Sequence, residues 1–157
     1  MDSFKNQPFL IADPGEYEVQ GMFVFGMPVK DADEKSKYSL AYRFEIERMS
    51  VGFLGGVKRA LHEEILDRLQ NIDILLLPVG GGDHMNAKQA TETVQVIEPR
   101  MVIPLYYALP DIKMNLDPVD LFCKEVGWKR QDMNKLKISR KDLPTEDLVV
   151  TVLERSS

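Results

Sequence analysis

The sequence predicts an α/β fold in which helices and a mixed β-sheet stack in layers. Two patterns predict it. The first half carries strand-length runs of alternating or continuous apolar residues, separated by turn residues. The second half alternates helical apolar stripes with short, nearly all-apolar runs, the pattern of buried strands between helices. A chain of 157 residues, 44% hydrophobic and 29% charged, can bury one core without disulfide staples.

The elements follow in order. Pro8-Phe9-Leu10-Ile11 is a short apolar run that ends at the turn Ala12-Asp13-Pro14-Gly15. Tyr17-Glu18-Val19 and Met22–Val29 read as a hairpin turned at Gln20-Gly21, the second strand apolar on both faces and so buried on both. Residues 31–37 are charged and turn-like. Residues 38–46 alternate, with Tyr38, Leu40, Tyr42, Phe44 and Ile46 on one face and Ser39, Ala41, Arg43 and Glu45 on the other, which predicts a half-buried strand. Residues 49–54 return toward Gly55-Gly56.

Leu61, Ile65, Leu66 and Leu69 then mark an amphipathic helix over residues 59–69. Residues 72–79 (IDILLLPV) predict a central strand, broken by Gly80-Gly81-Gly82. Asn86 with Gln89 three residues later is a capping box, and Ala87, Ala90, Thr91, Val94 and Ile97 are the buried stripe of the helix it opens. Glu98-Pro99 ends that helix, and residues 101–105 (MVIPL) form another buried strand. Asp117 as N-cap and Pro118 as first helical residue open a third helix, with Val119, Phe122, Cys123 and Val126 inward and Gly127 as its C-cap. Residues 135–138 and 148–153 predict two last short strands.

Composition narrows the function. A net charge of −5 argues against a nucleic-acid partner. The basic stretch of Trp128, Lys129, Arg130, Lys135, Lys137, Arg140 and Lys141 is interrupted by Asp132 and Asp142 and reads as a solvated face. The single cysteine, Cys123, permits no intrachain disulfide, sits in an apolar helical stripe, and fits a reducing cytoplasm. No apolar run approaches the ~18 residues of a membrane span, and residues 1–5 hold no signal-peptide core. The expectation is a cytosolic protein without membrane contact.

Four segments together resemble a known family: Asp13-Pro14-Gly15-Glu16-Tyr17-Glu18-Val19, Phe53-Leu54-Gly55-Gly56, Asp73-Ile74-Leu75-Leu76-Leu77-Pro78-Val79-Gly80-Gly81, and Val102-Ile103-Pro104-Leu105-Tyr106-Tyr107. In this order they resemble the metallo-β-lactamase superfamily, in its branch of small Zn-dependent hydrolases related to sugar lactonases. Lys135-Leu136-Lys137-Ile138 and Asp142-Leu143-Pro144 are similar to the tail of that branch. The resemblance implies a partial αββα sandwich over residues 1–157, a single domain lacking its first third. It also implies a Zn²⁺ or Mn²⁺ centre that activates water.

The family's ligands are not found at the matching positions. Its His-x-His-x-Asp-His motif does not occur. Gly56 stands where the resemblance places a bridging Asp, Arg59 near a His, and Tyr106 where a ligand His belongs. A phenol binds Zn²⁺ much less well than imidazole. The expectation is a degenerate family member, a pseudoenzyme with no cofactor, acting as a binding or assembly module. The alternative is a lactonase- or esterase-like hydrolase whose first metal motif comes from a partner chain or was lost by truncation.

Other chemistry is thin. His62, beside Glu63 and Glu64, reads as part of a solvated helix face. Asp83-His84 follows Gly80, Gly81 and Gly82 at the end of a central strand, where α/β folds gather ligands. With Tyr106 these residues form the candidate pocket, whether a tight packing loop, an anion contact or a metal ligand. Glu16 and Glu18 are expected to hold their turn by accepting backbone N–H bonds. Of Tyr106 and Tyr107, one should point to the sheet interface and one to the former site. Missing N-terminal strands would leave sheet surface bare, so a homodimer or another protein partner is expected.

Overall fold

The computed structural model describes residues 7–30 and 38–155, apart from the Val126 side chain. The turn expected at residues 31–37 lies outside the described residues. The strands are β1 (Gly15–Val19), β2 (Met22–Val29), β3 (Ser39–Ile46), β4 (Met49–Phe53), β5 (Ile74–Pro78), β6 (Met101–Leu105), β7 (Lys129–Met133) and β8 (Val149–Leu153). The helices are α1 (Glu63–Leu69), α2 (Ala87–Ile97) and α3 (Val119–Val126). All eight strands join one mixed sheet in the order β1-β2-β3-β4-β5-β6-β8-β7. β1 to β4 form an antiparallel meander, and β4, β5, β6, β8 and β7 run parallel.

The register divides the sheet into two unlike faces. Leu75 and Leu77 of β5, Val102 of β6, Val150 and Val152 of β8, Met27 and Val29 of β2 and Ala41 of β3 point to the helices and join the main core. Ile65 and Leu69 of α1, Ala90, Val94 and Ile97 of α2, and Phe122 of α3 meet them there. Each large aliphatic or aromatic side chain buried this way contributes about 1.5–3 kcal/mol. The opposite face carries Met49, Ile74, Met101 and Ile103, covered by Leu143 with Leu136 and Ile138. The described residues thus build one α layer and one β layer, the second β layer of a four-layer sandwich not being among them.

The far face thins out over the meander. On β3, Tyr42 and Phe44 are only half-buried and Ile46 is 38% exposed. Ala41, on the supposedly polar face, is fully buried against the helices. Arg43 of that face reaches the carbonyl of Arg68 at the end of α1, at 2.8 Å. So the apolar face of β3 looks away from the helices, where the segment bearing Phe9 and Ile11 covers it in part, Tyr42 Oη donating to the Ile11 carbonyl at 2.8 Å. The double burial expected of β2 fails on the helix-side face instead: Val24, in register with Phe44 on the far face, is fully buried, whereas Phe23, in register with Glu45 on the face of Met27 and Val29, is 49% exposed.

Local signals explain the connections. Gln20 and Gly21 have φ of 51° and 79°, the positive pair of a two-residue hairpin turn; Glu47 and Arg48, at 49° and 63°, do the same without glycine. Asp73 locks three strands: its carboxylate accepts from the Ser50 N–H at 2.9 Å, and its carbonyl accepts from Met101 N–H at 3.0 Å. The Asn86–Gln89 capping box forms in both directions, at 2.9 and 3.1 Å. Glu98 ends α2 in the left-handed region.

Four expectations are corrected. Residues 135–138 make no strand; Leu136 and Ile138 lie instead as cover on the far face. The strand is β7, inside the basic stretch, and as an edge strand it needs no apolar alternation because β8 supplies its backbone bonds. α1 starts at Glu63 with His62 as its N-cap residue, and α3 is preceded by Pro118 rather than Asp117 at that position. The β1 turn is held by Tyr17 Oη donating to the Asp13 carbonyl at 2.8 Å, while Glu16 and Glu18 stay exposed.

The capping box gives a direct test. Asn86→Ala should lower stability by about 1 kcal/mol in denaturant unfolding, with no change in the slope. A loss within error would show that α2 is fixed by packing alone.

Candidate functional site

β4, β5 and β6 are adjacent and parallel, so their C-terminal ends open on one edge of the sheet. Ligand sites of layered α/β folds gather at such an edge. Three loops leave it: the one bearing Gly56 after β4, Gly80–His84 after β5, and Tyr106–Tyr107 after β6. Backbone bonds tie them together. Leu54 N–H donates to Leu76 at 2.9 Å, and Val79 N–H to Leu105 at 3.0 Å.

The triglycine loop is a packing device. Gly80 is buried, and a Cβ there would run into the Tyr106 carbonyl oxygen. Its own carbonyl accepts from Asp117 N–H at 2.8 Å, which fastens the segment before α3. Gly81 and Gly82 have φ of 75° and 66°, a region costly for L side chains. Gly81 N–H donates to Met85 and the Gly81 carbonyl accepts from His84 N–H, at 3.0 and 3.1 Å. Two of the loop's N–H groups that an anion would need are thus spent internally.

Tyr106 sits at φ 47°, unusual for a residue with a Cβ, and is 45% exposed. Its ring lies flat on the His84 imidazole, 4.4 Å between centroids and 9° between planes. His84 in turn lines an open cleft of about 330 Å³ with Gly82, Asp83, Met114, Asn115 and Leu116. The structure therefore brings His84 and Tyr106 together. Asp83 is exposed beside them. The stack was not legible from spacing, since the whole of α2 and β6 intervenes; only the pairing of β5 with β6 creates it.

Tyr107 turns the other way. It packs against the helix-side core, and its hydroxyl donates to the Leu153 carbonyl at 3.1 Å. Burial pushes that phenol's pKa up. His62 is exposed at the start of α1, far in the chain from the cleft loop. Cys123 is half-buried, and burial raises its thiol pKa, which keeps it protonated and unreactive near neutrality. A larger cleft lined by Glu98, Arg100 and Trp128 lies at the opposite, N-terminal ends of β6 and β7. Of the basic stretch, Arg130 is paired with Asp120 and bidentate with Asp132, and Trp128 packs edge-on against Phe122.

The residues do not fit a catalytic metal. A Cβ on Gly56 would meet nothing within 4 Å, so the position is open but offers no donor. Tyr106 offers a phenol. No group of three His, Cys, Asp or Glu side chains able to hold a metal ion occurs among the described residues.

Comparison with known proteins places this scaffold. A family model described as a β-lactamase superfamily domain matches residues 1–106. The chain belongs to the metallo-β-lactamase superfamily. It superposes on a structure from Thermotoga maritima, assigned as a Zn-dependent hydrolase of that superfamily, with a TM-score of 0.77 and 28% identity, covering 92% of this chain and 72% of that one. A metal-dependent hydrolase of Thermococcus onnurineus is 32% identical over 123 residues, 74% of this chain and 54% of that protein. One from Pyrococcus abyssi is 29% identical over 134 residues, 82% of this chain and 58% of that protein. The chain thus spans little more than half the length of these curated relatives. The metallo-β-lactamase fold seen here, a mixed eight-stranded sheet with its helices, agrees with the resemblance read from sequence. No helix among the described residues is long and apolar enough to cross a membrane.

The contact between Gly80 and the Tyr106 carbonyl is the tightest in the site. Gly80→Ala should cost about 2 kcal/mol by overpacking and loosen the Tyr106–His84 stack. Thermal unfolding and the ring-current shift of the His84 protons would report it; unchanged values for both would mean the two loops are not coupled.

Proposed function

We propose that this chain forms the C-terminal part of a metal-dependent hydrolase of the metallo-β-lactamase fold. The observation that carries the reading is the far face of the sheet. Tyr42, Phe44 and Ile46 continue an apolar surface that Met49, Ile74 and Met101 begin; the segment bearing Phe9 and Ile11 covers Tyr42 and Phe44 only in part, and Ile46 is 38% exposed. The relatives it matches are named metal-dependent hydrolases and are about one and a half times as long. In this reading a complementary half, on the same polypeptide or on a partner, covers the face and brings the metal ligands. This chain contributes the sheet edge, the Gly80–His84 loop and the Tyr106 loop that wall the site. A lactone or ester is the substrate class, and the cytoplasm its setting.

Gly56 and Tyr106 favour a second reading, a non-catalytic module of the same fold. Its open face would then be covered by another protein, a second copy of the chain first of all. Sedimentation equilibrium showing a monomer across the micromolar range would remove that occupant.

A chimera separates the two. The N-terminal half of the Thermococcus onnurineus relative, fused ahead of this chain, should fold, take up zinc and hydrolyse a model lactone or aryl ester well above background. A folded, zinc-loaded chimera without hydrolysis would sink the hydrolase reading and leave the module.

A further inference from the structure

Two positions at the open end of the sheet differ from the rest of the site in one respect: their backbone is prepared and their chemistry is absent. Gly56 is exposed, lies outside the left-handed region, and has free space where a side chain would begin. Tyr106 sits at φ 47°, with its carbonyl close against Gly80 and its side chain 45% exposed, so position 106 faces outward at a cost in backbone strain. Strain of this kind persists only where surrounding packing enforces it. Here it now presents a phenol ring, whose flat contact with His84 occupies one face of the nearest imidazole.

β4 and β6 flank β5, so they stand about 10 Å apart, two strand spacings. An Asp on one loop and a His on the other, each making a bond of about 2 Å to a shared ion, are long enough to bracket such a gap. His84, already against position 106, stands within reach of the same point.

We infer that this end of the chain is a metal frame emptied of its ligands and closed by the Tyr106–His84 stack. The chain itself takes up no Zn²⁺, and two substitutions, Gly56→Asp and Tyr106→His, reopen it. The inference rests on the superfamily membership established above. It is independent of whether a complementary half brings metals of its own.

The test uses the chain alone, with Zn²⁺ alone as probe. Binding is measured by competition with a chromogenic chelator, and Co²⁺ replaces Zn²⁺ for a visible spectrum that reports ligand geometry. The wild-type chain and Tyr106→Phe, which keeps the ring contact, should show no stoichiometric uptake. The double variant should bind at least tenfold more tightly than wild type or either single variant, and should give intense Co²⁺ bands. His84→Ala added to the double variant should reduce that gain. Far-UV circular dichroism checks that each variant is folded. Stoichiometric zinc on the wild-type chain would overturn the inference, while leaving the hydrolase reading stronger. A folded double variant no better than wild type would overturn it too. Failure of the chimera to hydrolyse, by contrast, would leave it standing.

Discussion

The constraint on which the structure depends is that a β-sheet has two faces, and among the described residues the helices bury the centre of one while the other is covered only in part. Alternation along each strand sends half the side chains toward α1, α2 and α3 and half away. On the helix side Leu75, Leu77, Val102, Val150, Val94, Ile97 and Phe122 close a continuous core. On the other side one segment lays Leu136, Ile138 and Leu143 over Ile74, Met101 and Ile103, and another, bearing Phe9 and Ile11, meets Tyr42 and Phe44. Tyr42 and Phe44 stay half-buried, and Ile46 is 38% exposed. Apolar surface of this extent marks a surface built to meet protein.

The same sheet fixes the site. Only where β4, β5 and β6 run parallel do three loops emerge side by side, and only there does the chain spend three successive glycines and a strained tyrosine. Asp73 ties the opposite end of these strands to Ser50 and Met101, so their register, and with it the relative height of the three loops, is fixed. Superfamily membership follows from the scaffold, while Gly56 and Tyr106 offer neither a carboxylate nor an imidazole at the sheet's open edge.

Much of this was legible in the sequence. The run at residues 72–79, the capping box of Asn86 and Gln89, the stop at Glu98-Pro99 and the Gln20-Gly21 turn are local signals, and each forms as written. That Gly56 and Tyr106 stand at ligand positions is what the family resemblance implies. Tertiary facts were less legible. β7 has the charged composition of a surface loop and becomes a strand because β8 offers it an edge. The alternation of β3 was plain, but not that its apolar side faces away from the helices; the pattern gives two faces without saying which one the helices take. The stack of His84 on Tyr106 joins residues that only strand pairing brings together.

The central claim is that the far face of the sheet is an apolar surface requiring a protein cover. Fluorescence of an apolar-surface dye on the purified, folded chain tests it most directly, read alongside its mass by light scattering. The account predicts either strong dye binding by a monomer or an assembly in which that binding is suppressed. In the first case, substituting Phe44 and Ile46 by Lys should weaken the signal. A monodisperse monomer that binds no dye would contradict it.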